Sequence, residues 1–181
     1  MHKTVLLSLA SLSLAACGSM TSAPMASAQV DNMSLPPEIR VPAGARQTMH
    51  TVGIGEITYE CRAKAGAAGQ FEWVFVTPVA TLYDMQRKVV GKYYGGPTWE
   101  ANDGSKVTGK QLAVAPAGAG NIPLQLVQAN PAMGMGVMQG TAYIQRLNTR
   151  GGVAPAQACT AAHQGERRQV SYQADYVFYA R

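Results

Sequence analysis

The sequence contains few charged residues, few cysteines and histidines, and no long hydrophobic run. Of its 181 residues, 14% are charged and 47% are hydrophobic, which excludes an intrinsically disordered chain. The basic residues are scattered, so the formal net charge of +5 predicts no nucleic-acid-binding surface. The three cysteines and three histidines lack the paired spacing of a zinc motif, and no cofactor-binding motif is present, so the sequence predicts neither a metal nor a cofactor at these positions.

The longest apolar run lies near the N-terminus, where it follows the short basic segment Met1-His2-Lys3. It covers residues 5–16, and a transmembrane helix needs about 20 residues, so we interpret residues 1–16 as a signal peptide. The run ends in Leu14-Ala15-Ala16-Cys17-Gly18, which resembles a bacterial lipobox and predicts lipidation of Cys17. Gly18 after the cysteine favours the outer membrane over the inner one. Cleavage after Ala28 is the alternative, and it would remove Cys17.

Residues 17–34 are rich in alanine, serine and methionine and show no periodicity, which predicts a flexible tether. From residue 35 to residue 181 apolar residues recur with a period of two, interrupted by turns that contain many of the 19 glycines and 10 prolines. The sequence therefore predicts a lipid-anchored tether followed by one β domain.

The predicted strands cover residues 57–62, 71–76, 80–83, 89–94, 97–100, 106–115, 122–129, 137–147 and 169–179. The segment 71–76 is apolar on nearly both faces and predicts a central, buried strand. The segment 169–179 alternates most regularly and predicts that Tyr172, Tyr176 and Phe178 share one buried face. Asp103-Gly104 between two extended segments predicts a hairpin. We expect an all-β fold, a single antiparallel β-sandwich or barrel with little helix after the signal peptide.

The cysteine count fits an exported protein. If Cys17 carries lipid, Cys61 and Cys159 remain as a pair, and disulfides are the rule in oxidising compartments. We therefore expect a disulfide between Cys61 and Cys159, and we expect the domain to lie in the bacterial cell envelope.

One cluster of aromatic and charged residues predicts a ligand surface. It consists of Tyr93, Tyr94, Trp99, Glu100 and Asp103, with Arg146 as a further member. Aromatic rings beside carboxylates suit a glycan or another envelope polymer. Two alternatives stay open here: Glu100 and Asp103 form the carboxylate pair of a glycan-active hydrolase, or Trp99 belongs to the core and both acids are solvated.

A second cluster places three thioethers, those of Met133, Met135 and Met138, within six residues. Thioethers are soft ligands that suit Cu(I), so a copper-handling protein is a further hypothesis. The alternative is that these methionines fill gaps where a glycine-rich loop enters a strand.

Three blocks occur together in the chain: Gly53-x-Gly55 with Tyr59-x-Cys61; Gly95-Gly96-Pro97-Thr98-Trp99-Glu100 with Asp103-Gly104-Ser105; and Tyr143-Ile144-Gln145-Arg146-Leu147 through Thr149, Gly151-Gly152, Pro155 and Cys159. Over about residues 35–181 this combination resembles the domain of unknown function 3455 family of bacterial and fungal proteins. The resemblance implies an exported, β-rich domain and a Cys61–Cys159 disulfide, and it implies no established activity.

These observations predict a non-catalytic binding or structural domain that faces the periplasm. Its expected partners are a membrane, through the lipid, and a glycan or envelope polymer. The sequence does not indicate a protein partner.

Overall fold

The structure, a computed structural model, describes residues 29–181. The predicted signal peptide, Cys17 and the first part of the predicted tether lie outside the described residues. Within the described part, no helix is long and apolar enough to span a bilayer.

Eight antiparallel strands follow one another around a closed barrel, and the last strand pairs with the first. They are β1 (Arg46–Ala63), β2 (Phe71–Tyr83), β3 (Val89–Tyr94), β4 (Thr98–Ala101), β5 (Lys106–Ala115), β6 (Leu124–Ala129), β7 (Thr141–Gly151) and β8 (Arg167–Ala180). Short 3-10 helices cover Asn32–Ser34, Pro37–Ile39 and Ala161–His163. The prediction of an all-β antiparallel fold is confirmed, and of its two forms the barrel is the one adopted.

The alternation in β8 fills the inside of the barrel. Tyr172, Ala174, Tyr176 and Phe178 are buried and belong to the inner core. Because successive side chains point to opposite faces of a strand, the intervening residues face outward. Val177 and Tyr179 are nevertheless buried, which means that part of the outer wall is covered.

The covering element is the segment of residues 30–45 that precedes β1. Ile39 and Val41 pack on the outer faces of β5 to β8 and form a second core there. The fully buried Gln145 donates from Nε2 to the carbonyl of Ile39 at 2.7 Å and accepts from the hydroxyl of Tyr179 at 2.7 Å. A buried amide in this position satisfies backbone that would otherwise lack a partner.

Residues 30–34, which we predicted as the end of a flexible tether, already contact the barrel. The Val30 amide donates to Gln47 Oε1 at 2.9 Å, and Asn32 both donates to and accepts from the backbone of Val41 at 3.0 Å. Hydrogen bonds to the backbone fix these residues, although their composition has no strand or helix pattern.

The barrel wall has uneven height because β3 and β4 are short. Only Val79–Tyr83 of β2 pairs with β3, so residues 71–78 rise above β3. On the other side β4 pairs with residues 106–108 of β5, and residues 109–115 rise above β4. We call the resulting gap, above the turn of residues 95–97, the notch.

The notch explains why one strand prediction was wrong. Residues 71–76, predicted as a central buried strand, form the upper part of β2 and have no neighbouring strand on the notch side within the described residues. Phe75 is therefore 53% exposed. The predicted strands 71–76 and 80–83 are one continuous strand.

The disulfide between Cys61 and Cys159 is present, with 5.5 Å between the two Cα atoms. It fastens the loop of residues 152–166, between β7 and β8, to the end of β1. The same loop is held by the Trp73 indole, which donates to the carbonyl of Gln157 at 2.7 Å. The prediction of the cysteine pair is confirmed.

Candidate ligand site at the open end of the barrel

The two ends of the barrel interior differ. The turns of residues 84–88, 102–105 and 130–140 surround one end, which we call the closed end. The turns of residues 64–70, 95–97, 116–123 and 152–166 surround the other, which we call the open end.

Aromatic rings fill the interior towards the closed end. Trp99 is 1% exposed and packs against Tyr93, Tyr176 and Phe178, with ring centroids 5.0, 5.7 and 6.4 Å from its own. Met138, from the loop of residues 130–140, is buried with them. Rings at these distances in tilted or edge-to-face geometry pack tightly, so this end has no room for a ligand.

The predicted ligand surface is divided between the two faces of the barrel wall. Tyr93 and Trp99 point inward and belong to the core, whereas Tyr94 and Glu100 follow them directly and point outward. The six predicted residues are therefore not brought together, and of the two readings of Trp99 the structure shows the core residue.

Glu100 is engaged on the outer face. Its carboxylate accepts from the Tyr94 hydroxyl at 2.6 Å and lies 3.2 Å from Lys92 Nζ and 3.8 Å from Lys106 Nζ. The hydrogen bond from Tyr94 and then that from Lys92 lower the pKa of Glu100. A general acid in a glycosidase needs a raised pKa so that it stays protonated, whereas the lowered pKa of Glu100 favours the ionised carboxylate.

Asp103 fastens a loop instead of facing a substrate. Its Oδ1 accepts from the Ser105 amide at 2.9 Å and from the Ser105 hydroxyl, and its Oδ2 accepts from the Val137 amide at 2.8 Å. The hydrogen bond from the Ser105 side chain is the main cause of a lowered pKa at Asp103. Ser105 in turn accepts from the Met138 amide at 3.2 Å, so this network seats Met138 in the closed end.

The three methionines of the copper hypothesis lie in different environments. Met138 is 1% exposed inside the barrel, whereas Met133 is 47% and Met135 79% exposed. Met135 Sδ accepts a hydrogen bond from Gln139 Nε2 at 3.0 Å. Among the described residues there is also no group of three or more histidine, cysteine, aspartate or glutamate side chains placed to hold a metal ion.

A pocket of about 360 Å³ occupies the open end, beside the notch. It is lined by Phe75, Val76, Pro78, Tyr93, Gly95, Gly96, Pro97, Gln111, Gln125 and Arg146. Proteins often bind small molecules in the mouths of β-barrels, in pockets of about 300–1,000 Å³. Tyr93 and Arg146, two of the predicted site residues, meet here.

The register places the polar residues of the pocket on the inner face. Gln125 of β6 pairs with Arg146 of β7, and Gln111 of β5 pairs with the inner-core residue Val127. Gln125 Nε2 donates to Gln111 Oε1 at 2.6 Å. Arg146 donates from Nε and Nη2 to the carbonyl of Pro123 at 3.1 and 2.9 Å, which aligns its guanidinium at the rim.

The charge of Arg146 acts on the interior. Burial raises the pKa values of the four inner tyrosines, Tyr59, Tyr93, Tyr172 and Tyr176, and the positive charge of Arg146 lowers each of them in part. Arg146 is therefore close enough to set a positive potential in the open end.

Sequence reasoning missed Phe75, Gln111 and Gln125. Phe75 pairs with Tyr59 of β1 and contacts its ring edge-on, with 6.2 Å between the ring centroids, so it faces inward. The signal that could have found it is the short predicted strand 89–94 beside a longer apolar segment, since residues beyond the end of a neighbouring strand lose their cover.

A family model described as Protein of unknown function (DUF3455) matches residues 42–180. Neither the curated proteins nor the solved structures contain a match. The matched range covers all eight strands, both cysteines of the disulfide and every residue that lines the pocket.

Proposed function

The chain belongs to the DUF3455 family, and from that premise we propose that it is a non-catalytic binding domain whose small-molecule ligand occupies the pocket at the open end. The family description gives no activity, so the proposal depends on the pocket. Eight strands enclose an interior just wide enough either to be filled by side chains or to hold one small ligand. In this barrel side chains fill the closed end, and we assign the ligand to the open end.

One observation carries the proposal: an aromatic side chain that faces inward at the open end is left exposed. Phe75 lines the pocket and contacts the buried Tyr59, yet it is 53% exposed. Inward positions of a small barrel are normally filled by packing. Exposed apolar surface in a concave site favours ligand binding, because a ligand would remove that surface from water.

The carboxylates support a binding role over catalysis. Glu100 lies on the outer face with two lysines, and Asp103 is bound to backbone amides at the closed end. Neither lines the pocket. A glycan-active hydrolase that used Glu100 and Asp103 would need both carboxylates there.

We propose further that the domain works in the bacterial cell envelope, anchored to the outer membrane through Cys17. The Cys61–Cys159 disulfide supports an oxidising compartment, since disulfides persist mainly in exported proteins. Mass spectrometry of the mature N-terminus tests the anchor. An acylated Cys17 is the expected result, and an unmodified N-terminus at Gln29 would contradict it.

The binding proposal is tested by filling the pocket. Thermal-shift screening of the oxidised protein against small organic acids, their neutral analogues, sugars and peptidoglycan fragments should find a ligand. A ligand at a hundred times its Kd stabilises by about 2.7 kcal/mol, which is several degrees for a domain of this size. Gln125→Trp should abolish that shift, because the indole would occupy the open end.

Gln128→Trp is the matched control. Gln128 lies on the same strand, pairs with Tyr143 and is exposed on the outer face, so the same substitution leaves the pocket empty. Equal ligand binding by Gln125→Trp and Gln128→Trp would show that the ligand binds elsewhere and would overturn the proposal.

A further inference from the structure

We infer that the ligand of the open-end pocket is a small organic anion, a carboxylate carried on an apolar or aromatic body. The inference rests on the proposed function and adds the chemical class of the ligand. It follows from three features of the pocket: its charge, its excess of hydrogen-bond donors and its apolar wall.

The charge of the pocket has one sign. Of the residues that line it in the described part of the chain, only Arg146 is ionisable apart from the Tyr93 phenol, and none is a carboxylate. Several other cations of the barrel have acidic neighbours: Lys92 and Lys106 lie beside Glu100, and Arg167 lies beside Glu60. Arg146 contacts a carbonyl instead, so its full charge remains for a ligand.

The polar groups of the pocket are mainly donors. Arg146 uses Nε and Nη2 on the carbonyl of Pro123, and a guanidinium has five N–H groups, so Nη1 and part of Nη2 stay available. Gln111 accepts through Oε1 and therefore keeps its Nε2 hydrogens. An ionised carboxylate only accepts hydrogen bonds, and it matches the planar fork of arginine better than any neutral group.

The rest of the pocket is apolar. Phe75, Val76, Pro78 and Pro97 form the wall on the side of the notch. A simple inorganic anion would leave this wall exposed, and an apolar molecule without a head group would leave the donors without partners. A carboxylate with an aromatic or short aliphatic body satisfies both parts of the pocket, and the volume of about 360 Å³ admits such a molecule.

The test compares acids with their amides. Isothermal titration of the oxidised protein would use phenylbutyrate and phenylbutanamide, octanoate and octanamide, and naphthoate and naphthamide. We expect the acid of at least one pair to bind about tenfold or more tightly than its amide, which corresponds to about 1.4 kcal/mol. Amides that bind as well as the acids in every pair would overturn the inference.

Three variants test whether Arg146 is the group that causes the preference for acids over amides. Arg146→Gln should remove the preference for the acid and leave the amide affinity within about twofold. Arg146→Lys should keep part of the preference, because lysine supplies the charge without the planar fork. Arg150→Gln removes the same charge from an exposed position on the same strand and should keep the full preference. Retention of the preference in Arg146→Gln would overturn the inference, provided that its thermal unfolding matches that of wild type.

The outcomes separate the two proposals. If amides or uncharged apolar compounds bind and Gln125→Trp blocks them, the pocket is a binding site and only the anionic class is wrong. If acids bind equally well to wild type and Gln125→Trp, the pocket is not their site and both proposals fail. A full panel without any binding would reject both as well.

Discussion

The closed and open ends of this barrel are made by the same strands with the same alternation, and they differ in what covers the inward-facing rings. At the closed end Trp99 meets neighbouring rings on several sides and Met138 covers the opening. At the open end Phe75 meets Tyr59 on one side and the notch on the other. Both positions carry large aromatic side chains. The pocket therefore results mainly from the short lengths of β3 and β4.

The largest difference between the ends should appear on truncating one ring from each. Trp99→Ala removes a fully buried indole and should lower the free energy of unfolding by about 3–5 kcal/mol. Phe75→Ala removes a ring that is half exposed and should cost about 1 kcal/mol or less. Urea unfolding of both variants measures this. Similar losses would mean that the open end is packed in solution.

The disulfide stabilises the open end of the barrel, whereas ring packing stabilises the closed end. Replacing both Cys61 and Cys159 with alanine should lower the free energy of unfolding by about 2–4 kcal/mol, because the unfolded chain gains the freedom of a loop of 98 residues. Wild-type protein reduced with dithiothreitol is the control, since it loses the bond without losing atoms. Because the fastened loop also holds Trp73, its fluorescence should change in both cases. An unchanged urea midpoint would contradict this account.

Alkaline pH should act through the buried phenols. Burial raises the pKa of Tyr179 to about 12 and also raises the pKa of Tyr176 well above its usual range, whereas an unfolded tyrosine titrates near 10. The unfolded chain thus releases protons first, so stability is complete below pH about 10 and falls as pH rises towards 12. Each such tyrosine adds at most about 1.4 kcal/mol per pH unit. Tyr176→Phe should flatten this fall in urea unfolding between pH 9 and 11, and an unchanged slope would contradict the prediction.

The smallest effect should be a local one at Met138, whose buried side chain covers the opening of the closed end and is called the plug here. Asp103→Asn weakens the acceptor of the Val137 amide, so the Val137 and Met138 amides should exchange with deuterium faster while most other amides stay protected. Asp84→Asn is the control: Asp84 accepts from the Gln86 and Lys88 amides in a turn of the same end that seats no plug. Unaltered exchange at Val137 would show that Asp103 does not hold the loop.

Local patterns were sufficient to predict much of the barrel. The alternation of residues 169–179 and the Asp103-Gly104 turn are short-range signals, and the structure has a strand and a hairpin at these places. The start of β1 at Arg46 was not predicted. Residues 46–56 contain polar and glycine residues, and they are extended because they pair with β8, more than a hundred positions away.

The candidate site was predictable only in part, because it too depends on how the strands pair with one another across the sheet. Trp99 and Glu100 are neighbours in sequence, and alternation alone sends them to opposite faces of the wall. Arg146 and Tyr93 do share the pocket, but Gln111 joins them only through the pairing of β5 with β6. The notch depends on which residues of β2 and β5 lie beyond β3 and β4, and that is a property of registers across the whole sheet.

The pairing of β1 with β8 also governs when the domain can fold. Every other pair of strands is consecutive in the chain and can form as a hairpin, whereas this ladder joins Arg46 to Ala180. Until the last strand is synthesised, β1 and β7 each present an unpaired edge and the inner rings of β8 are absent from the core. Closure of so long a loop is slow compared with hairpin formation. Hairpins between consecutive strands can therefore form in a nascent chain, but the barrel closes only after β8 has been made.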